Sequence, residues 1–147
     1  MNWSDTYATG IQRIDEQHRT LFQMADDFRA GLDEGRGERI YGLFLEFLDR
    51  YIRGHFGFEE QCMEEYRCPV AQENKEAHAR LIEVVRGFQR LYAASNYRAA
   101  DARELVDTVD QWLAEHICGI DVQLKQCVSK QSDPRQEPGA GDPDAGM

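Results

Sequence analysis

Four long stretches of this chain carry apolar residues at alternating intervals of three and four, and no stretch alternates with period two over a useful length. That spacing keeps one side of an α-helix apolar and offers no face to a sheet. The first stretch runs from about Ile11 to Leu32, with Ile14, Leu21, Ala25 and Phe28 in phase. The second starts near Glu38 and ends near Tyr66, with Tyr41, Phe44, Leu48, Tyr51 and Cys62 in phase. The third covers about Val70 to Ala94, through Ala71, Leu81, Val85, Phe88 and Tyr92. The fourth covers about Ala99 to Ser129, through Leu105, Val109, Trp112, Ile120 and Leu124.

Short breaks separate them. GLDEGRGE supplies glycines, Cys68-Pro69 disfavours a helical residue before the proline, and SNYRAAD is a brief polar connection. Helices of this length joined by short loops return antiparallel, so the expected fold is all-α, an up-down-up-down antiparallel four-helix bundle spanning residues 1–130. The first ten residues are expected as an extended arm with Trp3 packed on the bundle. Beyond Lys130 the chain reads QSDPRQEPGAGDPDAGM, too polar to offset its ordering entropy, and residues 131–147 are expected to be a disordered tail.

Composition narrows the function. A chain of 147 residues is one domain with room for a real core. Its net charge of −10 and pI near 4.8 argue against nucleic acid or an anionic membrane surface as partner. No apolar run approaches the roughly 18 residues that span a bilayer, and MNWSDTYATG lacks the parts of a signal peptide. The cytoplasm is the expected address. In such a compartment the four cysteines, Cys62, Cys68, Cys118 and Cys127, read as small buried thiols, and a disulfide framework is not expected.

The chain has four histidines, His18, His55, His78 and His116, one in each helical stretch and each on its apolar stripe. Random placement would put all four on a two-in-seven seam roughly once in a hundred and fifty trials. A single histidine on an apolar face is ordinarily a satisfied core residue. Four together would compete for donors, because buried imidazole nitrogens need partners. A metal removes that conflict.

Two acids join them. Glu59 lies four residues after His55, so both side chains leave one face of the helix, and an inward carboxylate without a partner would be costly. Asp121 lies five residues after His116, about 140° around an ideal helix. Both point inward only if the helix distorts, through Gly119 or through a π-bulge. Four imidazoles and two bridging carboxylates suit two divalent ions with open positions, the ligand chemistry of non-haem iron. Cys62 is the one thiol near them, which does not favour a thiolate zinc site. Trp112, Phe22, Tyr51, Leu81, Ile82 and Ile120, about one turn from these groups, read as core packing that would also keep water out.

Four stretches, IDEQHRTLF, HFGFEEQCM, NKEAHARL and WLAEHICGID, resemble the hemerythrin family, specifically its single-domain bacterial members, and the resemblance spans about residues 1–128. It implies an oxo- or hydroxo-bridged di-iron centre that binds dioxygen. By that resemblance His18 and His55 would ligate one iron, His78 and His116 the other, and Glu59 and Asp121 would bridge. The family pattern has a fifth histidine one turn before the one matching His78, and this chain has Asn74 there. Asn74 would ligate the iron, hold a water on it, or simply fill space, and the water comes first because the shorter amide leaves a polar gap that a water would bridge.

Three function classes follow. The first is a dioxygen-binding protein for carriage, storage or sensing. The second is a di-iron protein reacting with peroxide or nitric oxide, which the extra position beside Asn74 would favour. The third is a helical binding module that has lost its metal.

Overall fold

Apolar residues every third or fourth position pay for helix formation only when the stripe is buried, and the stripes here bury against one another. The computed structural model describes residues 3–130. It contains α1 (Gln12–Asp33), α2 (Gly37–Glu65), α3 (Ala71–Ser95), α4 (Ala99–His116) and α5 (Gln123–Lys130). Helix starts fall within one residue of the sequence expectation. The loops hold three to five residues, so successive helices run antiparallel as a four-rod bundle. No strand occurs among the described residues, and none of their helices is long and apolar enough to cross a membrane.

Local chemistry sets the ends. Thr9 donates from both its backbone N–H and its hydroxyl to Asp15 Oδ1, at 2.8 and 2.9 Å, which ties the incoming chain to the first turns of α1. Gly35, at φ +77, turns the chain between α1 and α2, a conformation that costs an L side chain energy. Asn96, at φ +59, ends α3. The N-terminal arm contains a turn of 3-10 helix, Asp5–Tyr7, because the Ser4 hydroxyl accepts from the Thr6 N–H. Trp3 packs on the bundle as expected.

The fourth rod is not one continuous helix. Ile117–Asp121 forms a π turn between α4 and α5. Of the two devices the His116–Asp121 spacing allowed, the chain uses the π turn, and Gly119 keeps a negative φ.

Two apolar clusters fill the interior. The larger contains Leu21, Phe28, Phe44, Leu48, Leu81, Val85, Leu105 and Val109, with Phe28 and Phe44 stacked at 4.0 Å. The smaller contains Ile14, Cys62, Met63, Tyr66 and Leu124. Along each rod, one set of buried polar residues falls between members of the two clusters: His18 between Ile14 and Leu21, Glu59 between Ile52 and Cys62, His78 between Ala71 and Leu81, Asp121 between Ile117 and Leu124. The bundle therefore encloses a polar layer at this level, with apolar side chains on both sides of it.

One expectation fails. Cys68 and Cys127 form a disulfide, with Cα atoms 5.6 Å apart. It joins the α2–α3 loop to α5 across 59 residues of sequence. Sequence spacing does not reveal it, because the two cysteines meet only after the last rod returns to the end of the bundle where α2 stops. Cys62 lies in the core as a thiol, as expected, and Cys118 is half-buried in the π turn. The expected tail, residues 131–147, lies outside the described residues.

Candidate metal centre

Each rod delivers its part of the polar layer by its own periodicity. Helix α1 presents His18 one turn after Ile14, and α2 presents His55 and Glu59 a turn apart. Helix α3 presents Asn74 and His78, and α4 ends on His116. The π turn advances the chain by an extra residue, so that Asp121 faces inward five residues after His116. All seven are buried, with Glu59, His18 and Asn74 at 0% exposure.

The distances sort the donors into two sets that share both acids. His18 Nε2 lies 3.0 Å from Glu59 Oε2 and 3.2 Å from Asp121 Oδ2, while His55 Nε2 lies 3.5 Å from Glu59 Oε2. On the opposite side, His78 Nε2 is 3.1 Å from Glu59 Oε1, and His116 Nε2 is 3.0 Å from Asp121 Oδ1. Each carboxylate thus turns one oxygen to each histidine pair. Two groups result, His18, His55, Glu59 and Asp121, and Glu59, His78, His116 and Asp121, and the donor atoms within each lie no more than 4.8 Å apart.

Protein hydrogen bonds do not satisfy this layer. Glu59 Oε1 and both Asp121 oxygens have no hydrogen-bond partner of acceptable geometry, although imidazole nitrogens stand close to them. His78 and His116 aim Nε2 at each other across 3.0 Å, so at most one proton can serve both. Atoms that converge without hydrogen bonding fit a cation between them, and borderline imidazole with hard carboxylate fits a divalent transition metal.

Two of the imidazoles are oriented from behind. His55 Nδ1 stands 2.7 Å from Gln17 Oε1, and His78 Nδ1 stands 2.8 Å from Glu60 Oε2. In both cases Nδ1–H donates outward, which fixes the tautomer with the Nε2 lone pair aimed at the centre. Aromatic rings hold the second pair: Phe56 stacks on His78 at 3.7 Å, and Trp112 on His116 at 4.2 Å. On the other side the Trp3 ring lies 6.5 Å from His18. Gln17, Glu60 and Phe56 were not anticipated from sequence, because each acts on a residue of another helix or one turn away from the histidine stripe. The expected apolar surround is present, with Phe22 and Leu81 buried and Tyr51, Ile82, Trp112 and Ile120 half-buried.

In the metal-free chain two of these imidazoles hold protons. Burial pulls the His18 imidazole down, but the Asp121 and Glu59 carboxylates beside it outweigh burial and carry the group up to about 10. The same balance lifts His116 to about 9. Burial pushes the Glu59 carboxyl up, yet the four imidazoles around it hold it well below the usual range. At His55 burial prevails and the pKa falls. The centre is therefore an anionic pocket that binds positive charge, as protons when no metal is present.

Asn74 lies one turn before His78 on the same face, with neither amide atom hydrogen-bonded. Glu73 is exposed and does not replace it.

Comparison with known proteins agrees with this geometry. The hemerythrin HHE cation-binding domain matches residues 9–128. A bacteriohemerythrin of Stenotrophomonas maltophilia is 29% identical over 119 residues, covering 81% of this chain and 75% of its own length. A bacteriohemerythrin of Pseudomonas aeruginosa is 30% identical over 115 residues, covering 78% and 72%. A myohemerythrin of Theromyzon tessulatum is 24% identical over 123 residues, covering 84% and 89%. With a histidine and carboxylate cluster at the centre of a four-rod bundle, and the domain match extending over most of its length, the chain belongs to the hemerythrin HHE cation-binding domain family of non-haem iron proteins.

Proposed function

We propose that this protein holds two iron ions and binds dioxygen at them, as a carrier, store or sensor. His18 and His55 would hold one ion, His78 and His116 the other, and Glu59 and Asp121 would be shared between them. The observation that carries this reading is that both buried carboxylates divide their oxygens between the two histidine pairs. When bound, the iron pair supplies the electrons and the open position for reversible dioxygen binding.

The chain's own residues do the rest. Gln17 and Glu60 fix the tautomers of His55 and His78. Phe22, Phe56, Leu81 and Ile117 exclude water from the layer, which strengthens every charge interaction inside it. Asn74 would hold a water where an imidazole would otherwise reach, and the His78 and His116 half would have one protein ligand fewer.

That last feature supports a second reading, in which the centre reacts with peroxide or nitric oxide rather than carrying dioxygen. Optical titration of the anaerobically reduced protein with oxygen, paired with iron quantitation, separates the possibilities. About two irons per chain and a spectrum that reverses when the oxygen is withdrawn support carriage. Irreversible bleaching or turnover supports the second reading. A chain that takes up no iron overturns both.

A further inference from the structure

A pocket of ≈ 180 Å³ opens at the end of the bundle where α2 stops, between the α2–α3 loop and α5. The loop lines it with Arg67, Cys68 and Pro69, and α5 lines it with Gln126, Cys127 and Lys130. The Cys68–Cys127 disulfide is therefore part of its wall, and both half-cystines keep some exposed surface, 5% at Cys68 and 7% at Cys127. Arg67 and Lys130 are exposed there, and neither is held in an ion pair among the described residues. No carboxylate of the described residues lines the pocket. The acids nearest Arg67 in sequence, Glu64 and Glu65, accept from Lys75 at 2.7 Å and from Gln61 at 3.2 Å. On a chain of net charge −10 this is a locally cationic spot built around an oxidised pair of sulfurs.

The backbone places one of the two cations. Helix α2 ends in a Schellman turn, in which the Cys68 N–H donates to the Met63 carbonyl at 2.8 Å and Arg67 takes φ +52. Glycine or asparagine ordinarily occupies that position, because other side chains are disfavoured there. The chain keeps an arginine all the same, next to Cys68. The two sulfurs also differ as leaving groups. Cys68 stands two residues before Val70, the N-cap of α3, where the positive helix end and Arg67 favour a thiolate. Cys127 lies in the C-terminal half of α5, whose negative end disfavours one.

We propose that this pocket is a thiol–disulfide exchange site for a small anionic thiol of the glutathione type, whose carboxylates meet Arg67 and Lys130. The incoming thiolate attacks Cys127 Sγ and forms a bond to it. The Cys68–Cys127 bond breaks, and its electron pair leaves with Cys68 Sγ, which then takes a proton from solvent. A second thiolate attacks the sulfur of the bound thiol, releasing the oxidised thiol and the Cys127 thiolate. Two small thiols are thereby joined in one disulfide, and the protein disulfide becomes two thiols. None of these steps uses the buried centre, whether or not it holds iron.

Reduction of the full chain by glutathione, and by neutral β-mercaptoethanol at matched thiolate concentration, is followed by alkylation and mass spectrometry. Arg67→Asn combined with Lys130→Gln removes both cations, and asparagine suits the backbone at position 67. At low ionic strength the pair should slow glutathione about tenfold and change β-mercaptoethanol by less than about twofold. Added salt should narrow the difference. The trapped intermediate should carry glutathione on Cys127 and the alkylating group on Cys68. A glutathione rate that ignores the two substitutions overturns the proposal, as does an equal fall for both thiols, which loosening or tightening of the segment alone would produce. A rate independent of thiol concentration would place the slow step in unfolding and overturns it too, and so does glutathione trapped on Cys68.

Discussion

His78 Nε2 and His116 Nε2 face each other across 3.0 Å, with Glu59 Oε1 3.1 Å from the first and 3.9 Å from the second. Two imidazole nitrogens and a carboxylate oxygen pointed at one volume make a poor hydrogen-bond arrangement and a good cation cage. Glu59 is one of the two acids both cages share, so its removal costs both. Glu59→Ala is expected to reduce iron from about two per chain to below one, and His55→Ala to empty chiefly the half it shares with His18. Iron analysis after desalting measures this, with circular dichroism to confirm the helices. Full iron in both variants would rule out these residues as ligands.

Gln17 and Glu60 contact no proposed cation, yet each holds the Nδ1 of a histidine that does face the centre. Freed of that partner, His55 or His78 can rotate or adopt the wrong tautomer. Gln17→Ala and Glu60→Ala should therefore each weaken metal affinity by about 10- to 100-fold, the usual scale for such partners. The thermal midpoint of the metal-free protein should change little for Glu60→Ala, since that side chain is partly exposed. Competition with a chromophoric chelator gives the affinities. Unchanged affinity in both would mean that packing by Phe56 and its neighbours orients the rings unaided.

The proton balance of the metal-free centre fixes a pH dependence. His18 and His116 titrate at about 10 and about 9 in the folded chain, above their ordinary value of 6.5. Their contribution to stability is complete below 6.5 and disappears as the pH rises through 9 and 10. Glu59, held low, contributes above its ordinary value of 4.5, and that contribution is lost as acid protonates it. The metal-free protein should thus melt at a lower temperature at pH 10 than at pH 7. A cation displaces the same protons, so metal loading near pH 7.5 should release about two. Melting curves across pH and calorimetry in buffers of different ionisation enthalpy test the two statements, and a metal-free midpoint that rises steadily to pH 10 contradicts the first.

The rods were legible because a repeat of three and four positions is a local property that burial then enforces, as at Ile14, His18, Leu21 and Ala25. The π turn was legible as one of two options, since His116 and Asp121 cannot both face inward from a regular helix. Gln17 and Glu60 were not, because each serves a histidine of another rod, and only the rotation and register of the packed helices bring them together. The Cys68–Cys127 bridge was hidden for the same reason, and its partners also lack any metal-type or hairpin spacing.

Asn74 leaves two amide atoms unsatisfied in the core, an arrangement that costs about 1–3 kcal/mol unless something polar fills the gap. Asn74→His would extend a nitrogen donor into that gap from the same face as His78. Iron in the second half should then be held about tenfold more tightly, the scale on which changes around a ligand shell act, and the reduced protein should oxidise in air more slowly. Asn74→Leu, which fills space without a donor, should stabilise the metal-free chain but not slow oxidation. Air oxidation that is indifferent to the histidine would show that position 74 does not govern the open site.

The Cys68–Cys127 bridge closes 59 residues of sequence and anchors α5, the helix that immediately follows the π turn carrying Asp121. Closing a loop of that length restricts the unfolded chain by about 4 kcal/mol in the chain-entropy account. Without the bridge, α5 is a helix of 8 residues held by Leu124 and a few neighbours, too short to persist alone. Reduction, or the Cys68→Ser and Cys127→Ser pair, should therefore lower the thermal midpoint. Because Asp121 lies six residues before Cys127, it should also weaken metal affinity, even though neither cysteine faces the centre. The two effects separate cleanly in hydrogen exchange. Faster exchange confined to residues 117–130, together with weaker metal binding, identifies α5 as the clamp on Asp121. Faster exchange throughout the bundle would instead assign the bridge to global stability alone.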